Sequence, residues 1–283
     1  MKTFVTGAAG QLGRALIPEL ARRNWEYEAA DLAEMDITDW GLVWRTLSSF
    51  KPEVVINAAA ATRVDDLENA PDLAIRVNGG GARNLAIACR RLGARLVQVS
   101  TDYVFDGEKP GPYQEWDPPN PLSVYGLSKL LGEEWVRQQC PDHFIVRTAW
   151  LYGLPGPNFI TAILAKARAK HDLMVVHDQR GTPTSAPALA PQLLALAQTE
   201  AFGTYHATCH GEATWYKFAL VILEKAGLPA KIRPCETREY PRPAPRPANS
   251  VLENRLLKVA GLDLMPHWQE DYNRFWEWYG DQL

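Results

Sequence analysis

The residues best suited to chemistry lie between positions 100 and 129. Ser100-Thr101-Asp102-Tyr103-Val104-Phe105-Asp106-Gly107 opens the stretch and Tyr125-Gly126-Leu127-Ser128-Lys129 closes it. Tyr125 and Lys129 are four apart, so on a helix they share one face. A hydroxyl at Thr101, a phenol at Tyr125 and an ammonium at Lys129 are the set that reduction of a ketone requires. One group polarises the carbonyl oxygen, one protonates the developing alkoxide, and one makes the donor more acidic. A free tyrosine titrates near a pH of about 10. Lys129 is therefore expected to draw Tyr125 towards neutrality. Thr101, Tyr125 and Lys129 are the candidate catalytic residues.

These groups carry no hydride, so the chain must hold a carrier. Its N-terminus predicts one. Residues 2–6 read as a short apolar strand, followed by Gly7-Ala8-Ala9-Gly10-Gln11-Leu12-Gly13 and a helix through Asn24 with Leu12, Leu16 and Leu20 in step. Strand, glycine-rich turn and helix form the context of a dinucleotide site. Gly7 serves the turn, Gly10 the approach of a pyrophosphate, and Gly13 close helix packing, with the helix N-terminus at Gln11 and Leu12 facing the phosphates. Asp31, at the end of a strand over Glu26–Ala30, can accept from an adenosine ribose hydroxyl, which favours NAD. Asp36 and Ile37 suit a loop beside the adenine. Asp39 is placed to cap a helix over 40–49. Val54-Val55-Ile56 is a buried strand running into Asn57-Ala58-Ala59-Ala60-Ala61-Thr62, where small residues let a flat cofactor lie on the backbone.

The remaining elements alternate in the same way. A helix over 72–92 contains Asn78-Gly79-Gly80-Gly81, a run that costs roughly 1 kcal/mol per glycine relative to alanine and so implies a close approach. Arg95–Val99 is a strand delivering Ser100 and Thr101 at its carboxyl end, where ligands sit in open parallel sheets. The proline- and aromatic-rich loop 103–122 reads as a substrate-facing flap, and Ser123 caps the helix of Tyr125 and Lys129. Another strand covers Phe144–Arg147. Beyond Gly153 come a helix over 159–170, a strand over Leu173–Val176, a polar turn over 179–185, a helix over 188–198, a strand over 203–207, and a helix over 215–226 capped by Thr214. Pro241 to Pro247 is a stiff, extended segment. The final helix carries Trp268, Tyr272, Phe275, Trp276 and Trp278, which at that spacing read as core. The fold class is α/β: a Rossmann-type doubly wound parallel sheet over 1–153, joined by part of 173–207, with a smaller substrate-binding lobe over 154–283.

Composition limits the alternatives. The 283 residues carry a net charge of −3, which disfavours nucleic acid or an anionic membrane as partner. No apolar run is long enough to span a bilayer, and the N-terminus shows no signal-peptide pattern. The four cysteines, at 89, 140, 209 and 235, form no metal-binding pair and read as free thiols, consistent with a cytoplasmic setting. His143, His171, His177 and His267 are expected to be structural or on the surface.

The glycine turn, Ser100-Thr101 and the Tyr125/Lys129 pair make the chain resemble an extended short-chain dehydrogenase/reductase. Four stretches narrow this: Asn57 to Asp65, Ser100 to Gly107, Asp178 to Thr184, and Arg246-Pro247-Ala248-Asn249-Ser250-Val251-Leu252. Together they resemble the dTDP-4-dehydrorhamnose reductases over essentially the whole chain. The resemblance implies hydride transfer from NADPH or NADH to C4 of a dTDP-4-dehydro sugar. It implies Tyr125 as acid, Lys129 as partner of the nicotinamide ribose, and Thr101 at the keto oxygen. It further implies that Trp150 packs on the sugar. Thr62, Asp102, Tyr103, Asn158, Thr182 and Arg246 are placed on the substrate side, and a homodimer is among the assemblies it allows. Relatives commonly carry an aromatic residue at the position of Ala61. Some members join subunits through magnesium held by glutamates, but Ala15 and Pro187 stand at two of those positions, so no metal site is expected. The alternatives are a non-catalytic, cofactor-binding regulatory subunit and another nucleotide-sugar enzyme such as an epimerase. A dehydratase would carry an acid pair after Thr101, whereas this chain has Asp102-Tyr103.

Overall fold

The computed structural model describes residues 1–169 and 172–283. The expected end of the helix at 170 and the role of His171 lie outside the described residues. Strands β1 (Lys2–Thr6), β2 (Glu26–Ala30), β3 (Val54–Asn57), β4 (Arg95–Thr101), β5 (His143–Thr148) and β6 (Gly203–His206) make one parallel sheet in the order β6-β5-β4-β3-β1-β2. The inner strands are buried along nearly their whole length, as strands covered on both faces must be. β2, the edge, exposes four of its five residues and carries two glutamates, which blunts it against further pairing. The order reverses between β1 and β3. A crevice therefore opens at their carboxyl ends, where doubly wound sheets bind ligands.

Two hydrophobic layers cover the sheet. On one face α1 (Gln11–Arg22) buries Leu12, Leu16 and Leu20 beside α6 (Ala186–Ala197). The other carries α2 (Trp40–Phe50), α3 (Ala82–Leu92) and α4 (Val124–Gln139). The expected caps form: Asp39 accepts from Leu42 N, Ser123 from Gly126 N and Thr214 from Lys217 N. A third core unites α5 (Phe159–Arg168), α7 (Trp215–Lys225) and α8 (Trp268–Tyr279) in the smaller lobe. Trp268, Tyr272 and Phe275 are buried there, but Trp278 is 58% exposed and is not core. Within 173–207 the return to the main sheet begins at Ala186. Leu173–Val176 instead pairs with Ile232–Cys235 in the smaller lobe. No helix among the described residues is long and apolar enough to cross a membrane.

The glycine run is the main local departure from expectation. The helix predicted over 72–92 is α-helical over Pro71–Ala74, π-helical over Ile75–Gly81, and α-helical again from Ala82. The wider turn directs the Asn78 side chain inward, where it is buried. The close approaches lie at particular glycines. A Cβ on Gly81 would meet Ile37 at 2.5 Å, and one on Gly132 of α4 would meet the Asn78 carbonyl at 2.4 Å. On Gly80 the nearest atom is 3.9 Å away. Gly132→Ala is therefore expected to cost about 1–3 kcal/mol through overpacking, while Gly80→Ala leaves stability unchanged or slightly raised. Urea denaturation of both variants checks this, and equal losses would contradict it.

Candidate active site

α4 lays a stripe of three side chains against the carboxyl end of β4. Lys129 Nζ donates to the Val99 carbonyl at 2.7 Å. One turn on, Glu133 Oε1 accepts from Ser100 Oγ at 2.5 Å. At the start of the helix the Tyr125 ring meets Tyr103 edge-on with centroids 5.7 Å apart, and Thr101, at the end of β4, lies near enough to the phenol to oppose the rise in its titration. Gly126 makes this approach possible, because a Cβ there would lie 2.1 Å from the Tyr103 carbonyl. The structure thus places Thr101 at the end of β4 and Tyr125 and Lys129 one turn apart on α4 beside it.

Burial controls their titration. Tyr125 is half-buried; desolvation pushes its hydroxyl up to about 12, opposed by Thr101 and reinforced by Asp102. This is opposite in direction to the effect expected of Lys129, one of whose N–H groups bonds the Val99 carbonyl. Desolvation brings Lys129 down to about 8, and the Glu133 carboxylate opposes it. Asp102 is buried, and desolvation pushes it up to about 6, opposed by the hydrogen bond from Thr101. The single Thr101 hydroxyl proton is directed at Asp102 Oδ1, 2.9 Å away.

The cofactor crevice fits a dinucleotide. Gly7, at φ +67°, packs so closely on Ala58 and Ala59 that a Cβ would lie within 2.8 Å of both, and Gly13 packs equally tightly on Gly7 and Ala8. Gly10 is exposed and open, leaving the first-turn N–H groups of Gln11, Leu12 and Gly13 facing outward. Gln11 Nε2 also donates to the Pro157 carbonyl at 3.1 Å. Asp31 accepts from Ala9 N at 2.7 Å and Leu32 N at 2.8 Å, so its carboxylate is fixed beside the glycine turn. Asp36 accepts from Thr38 N, and buried Ile37 wedges against Gly81. Ala58, Ala59 and Ala60 are half-buried at the end of β3, with Thr62 exposed beyond them.

The substrate-side residues divide into two groups. Tyr103 and Arg246 line an open cavity with Phe159, Lys166, Trp215, Tyr240 and Arg242. Trp150, held at φ +47°, stacks face to face on Trp215 at 3.4 Å. Asn158 spends its side chain as the α5 cap, accepting from Thr161 N and donating to the Gly153 carbonyl. Thr182 is fully buried and donates to the Gly211 carbonyl. The loop 103–122 packs on itself and on residues 249–253. Phe105 stacks on Tyr113, Tyr113 N donates to the Val251 carbonyl, and Asn249 Nδ2 donates to the Lys109 and Gly111 carbonyls.

Several positioning residues escape sequence reading. Glu133 is fully buried and chelated by Arg147, through Nε at 2.9 Å and Nη2 at 2.7 Å, with Arg137 Nη2 at 2.8 Å. Asn78 accepts from Ala61 N and donates to the Ala61 carbonyl and Ser128 Oγ, tying the cofactor-side turn to α4. The cost of Asn78-Gly79-Gly80-Gly81 in a helix was the one signal pointing to this contact.

A glycine turn at the end of β1 and a Thr–Tyr–Lys set at the end of β4 define the class: a nicotinamide-dependent oxidoreductase on a Rossmann-type sheet. A family model described as the RmlD substrate binding domain matches residues 1–279. A dTDP-4-dehydrorhamnose reductase from Streptomyces griseus is 45% identical over 273 residues, covering 94% of this chain and 90% of the relative. The crystal structure of a dTDP-4-dehydrorhamnose reductase from Clostridium acetobutylicum matches with a TM-score of 0.97 at 44% identity, over 99% of this chain and 100% of that one. That of Bacillus anthracis, in complex with NADP, gives 0.95 at 37% identity, over 97% and 98%. The chain belongs to the dTDP-4-dehydrorhamnose reductase family.

Because Lys129 titrates near 8 and acts as a cation, its contribution is present below that pH and lost as pH rises through it. The value of kcat/KM for the reduced cofactor, which reports the free enzyme, should fall above about pH 8. Glu133→Gln should move that limb to lower pH, since the carboxylate opposes deprotonation of Lys129. A flat profile in both proteins would contradict the assignment.

Proposed function

We propose that the chain reduces the C4 keto group of dTDP-4-dehydro-L-rhamnose, giving dTDP-L-rhamnose, with NADH or NADPH as reductant. The observation that carries this reading is the placement of Thr101 at the end of β4 and Tyr125 in the first turn of α4, with Tyr125 packed on the Tyr103 that lines the cavity together with Arg246. The bound nicotinamide supplies the hydride. Every other part of the reaction falls to the chain.

Gly10, Gln11, Leu12 and Gly13 receive the pyrophosphate, Asp31, Asp36 and Ile37 the adenosine, and Ala58 to Ala60 the flat face of the cofactor. Lys129 holds the nicotinamide ribose. The keto oxygen sits between Thr101 and Tyr125, and Tyr125 gives its proton as charge builds there. A phenol kept protonated by burial suits this step, because it gives up its proton only to a strong base. Arg246, Arg242 and Lys166 supply the positive charge a diphosphate needs. Phe159, Trp215 and Tyr240 offer faces to a base or sugar. Trp150 backs Trp215 on the sugar side, with Thr62, Asp102 and Tyr103 bordering the reacting carbon. Asn158 and Thr182 shape this site through their internal hydrogen bonds.

The test mixes purified protein with dTDP-4-dehydro-L-rhamnose and follows NADH and NADPH oxidation separately. Tyr125→Phe should lose activity by about 10²–10⁴-fold while keeping cofactor affinity. Near-normal turnover in that variant would remove Tyr125 as the acid. Cofactor binding without oxidation by the unaltered chain would favour a regulatory subunit.

A further inference from the structure

The segment from Pro241 to Pro247 forms a strap beside the cavity, which its Arg242 and Arg246 line. Its four prolines have no N–H, so it cannot fasten itself through a regular backbone ladder. Its bonds to the cofactor lobe converge instead on Asp65. Arg246 Nη1 donates to Asp65 Oδ1 at 2.6 Å, Ala244 N to the same oxygen at 3.3 Å, and Arg242 Nη1 to Oδ2 at 3.4 Å. Asp65 lies on the short helix Val64–Leu67, directly after the 57–62 turn that borders the cofactor crevice. One carboxylate thus ties the cofactor-side turn to a strap about 180 residues away in sequence.

We infer that Asp65 is a positioning residue that holds Arg242 and Arg246 of the strap for the diphosphate of the nucleotide sugar. The inference rests on the reading of the cavity given above. Both arginines line that cavity. Arg246 spends a single nitrogen, Nη1, on Asp65 and on the Ala244 carbonyl, which leaves other donors of its planar fork for an anion. Two guanidinium groups on one carboxylate leave an excess positive charge, and Lys166 adds to it. The Arg246 guanidinium also holds the Asp65 carboxyl below the usual carboxylate range, so the anchor stays charged at neutral pH.

The test measures dTDP and NADPH binding to the full chain by calorimetry, together with steady-state kinetics. Asp65→Asn should weaken dTDP binding and raise KM for the nucleotide sugar by about tenfold, leaving kcat, NADPH affinity and melting temperature unchanged. Asp65→Glu should restore part of the loss. Arg246→Gln should weaken dTDP binding comparably, and the double variant should lose little more, because the two side chains act as one unit. A merely structural role would lower the melting temperature and give additive losses. Unchanged dTDP affinity in Asp65→Asn overturns the inference, and tighter binding overturns it by showing that the carboxylate competes with phosphate. Absence of dTDP binding by the unaltered chain, with NADPH binding intact, removes both the inference and the nucleotide-sugar reading.

Discussion

The buried pairing of Glu133 with Arg147 is the constraint on which the site geometry depends. Both side chains are essentially inaccessible, so each has lost its hydration at a cost of several kcal/mol. That cost is offset only because the carboxylate is fully engaged, by Ser100 Oγ, two Arg147 nitrogens and Arg137. Any rotation of α4 would leave a charge buried and unpaired. The helix is therefore locked in azimuth, and residues at four-residue spacing along it, Lys129 and Tyr125, must face β4. Arg147 extends the same constraint outward. Its guanidinium lies over the Phe105 ring at 5.1 Å, and Phe105 stacks on Tyr113. The loop 103–122 and α4 are thus registered against one cation.

A second polar path crosses the sheet and meets the first. Thr6 Oγ1 donates to Asn57 Oδ1, Asn57 Nδ2 to Gln98 Oε1, and Gln98 Nε2 to the Val99 carbonyl, which also accepts from Lys129. These residues are register partners on β1, β3 and β4. The path begins beside the glycine turn and ends at Lys129. Buried hydrogen bonds specify position more than they add stability, since each replaces a bond to water. Their effect here is to fix the sheet ends that carry cofactor and catalytic residues, while Asn78 sets the distance from Ala61 to α4. Close approaches at Gly7, Gly13, Gly126 and Gly132 serve the same end by letting backbone meet backbone.

What was legible in the sequence follows from this. Apolar spacing revealed α1, and turn residues revealed the caps at Asp39, Ser123 and Thr214, because those signals act within a few residues. Tyr125 and Lys129 were legible for the same reason: their relation is one helical turn. Glu133 sits at the next turn of the stripe, yet its partner Arg147 is on another strand, so nothing local marks it. Trp215 behind Trp150 and Asp65 beneath Arg246 are likewise tertiary pairs. The partners of loop 103–122 were not legible, because its backbone bonds residues 249–253, far away in sequence. The titration of Tyr125 misled because spacing shows which charges are near but not how much water has been removed.

Dehydration also bears on how the acid works. A phenol near 12 is still a far stronger acid than the alcohol formed in the proposed reduction, since an alkoxide's conjugate acid titrates close to water, well above the phenol. Proton delivery to the reduced carbonyl is therefore favourable without lowering Tyr125. What burial obstructs is the aftermath, a phenolate held in an apolar setting beside Asp102. A cation is needed there more than in the resting site, and Lys129 is kept available for it: Glu133 opposes its neutralisation, and its bond to Val99 leaves two of its three donors free. The lysine then matters for discharging the product state, and Glu133 matters because it keeps that lysine charged.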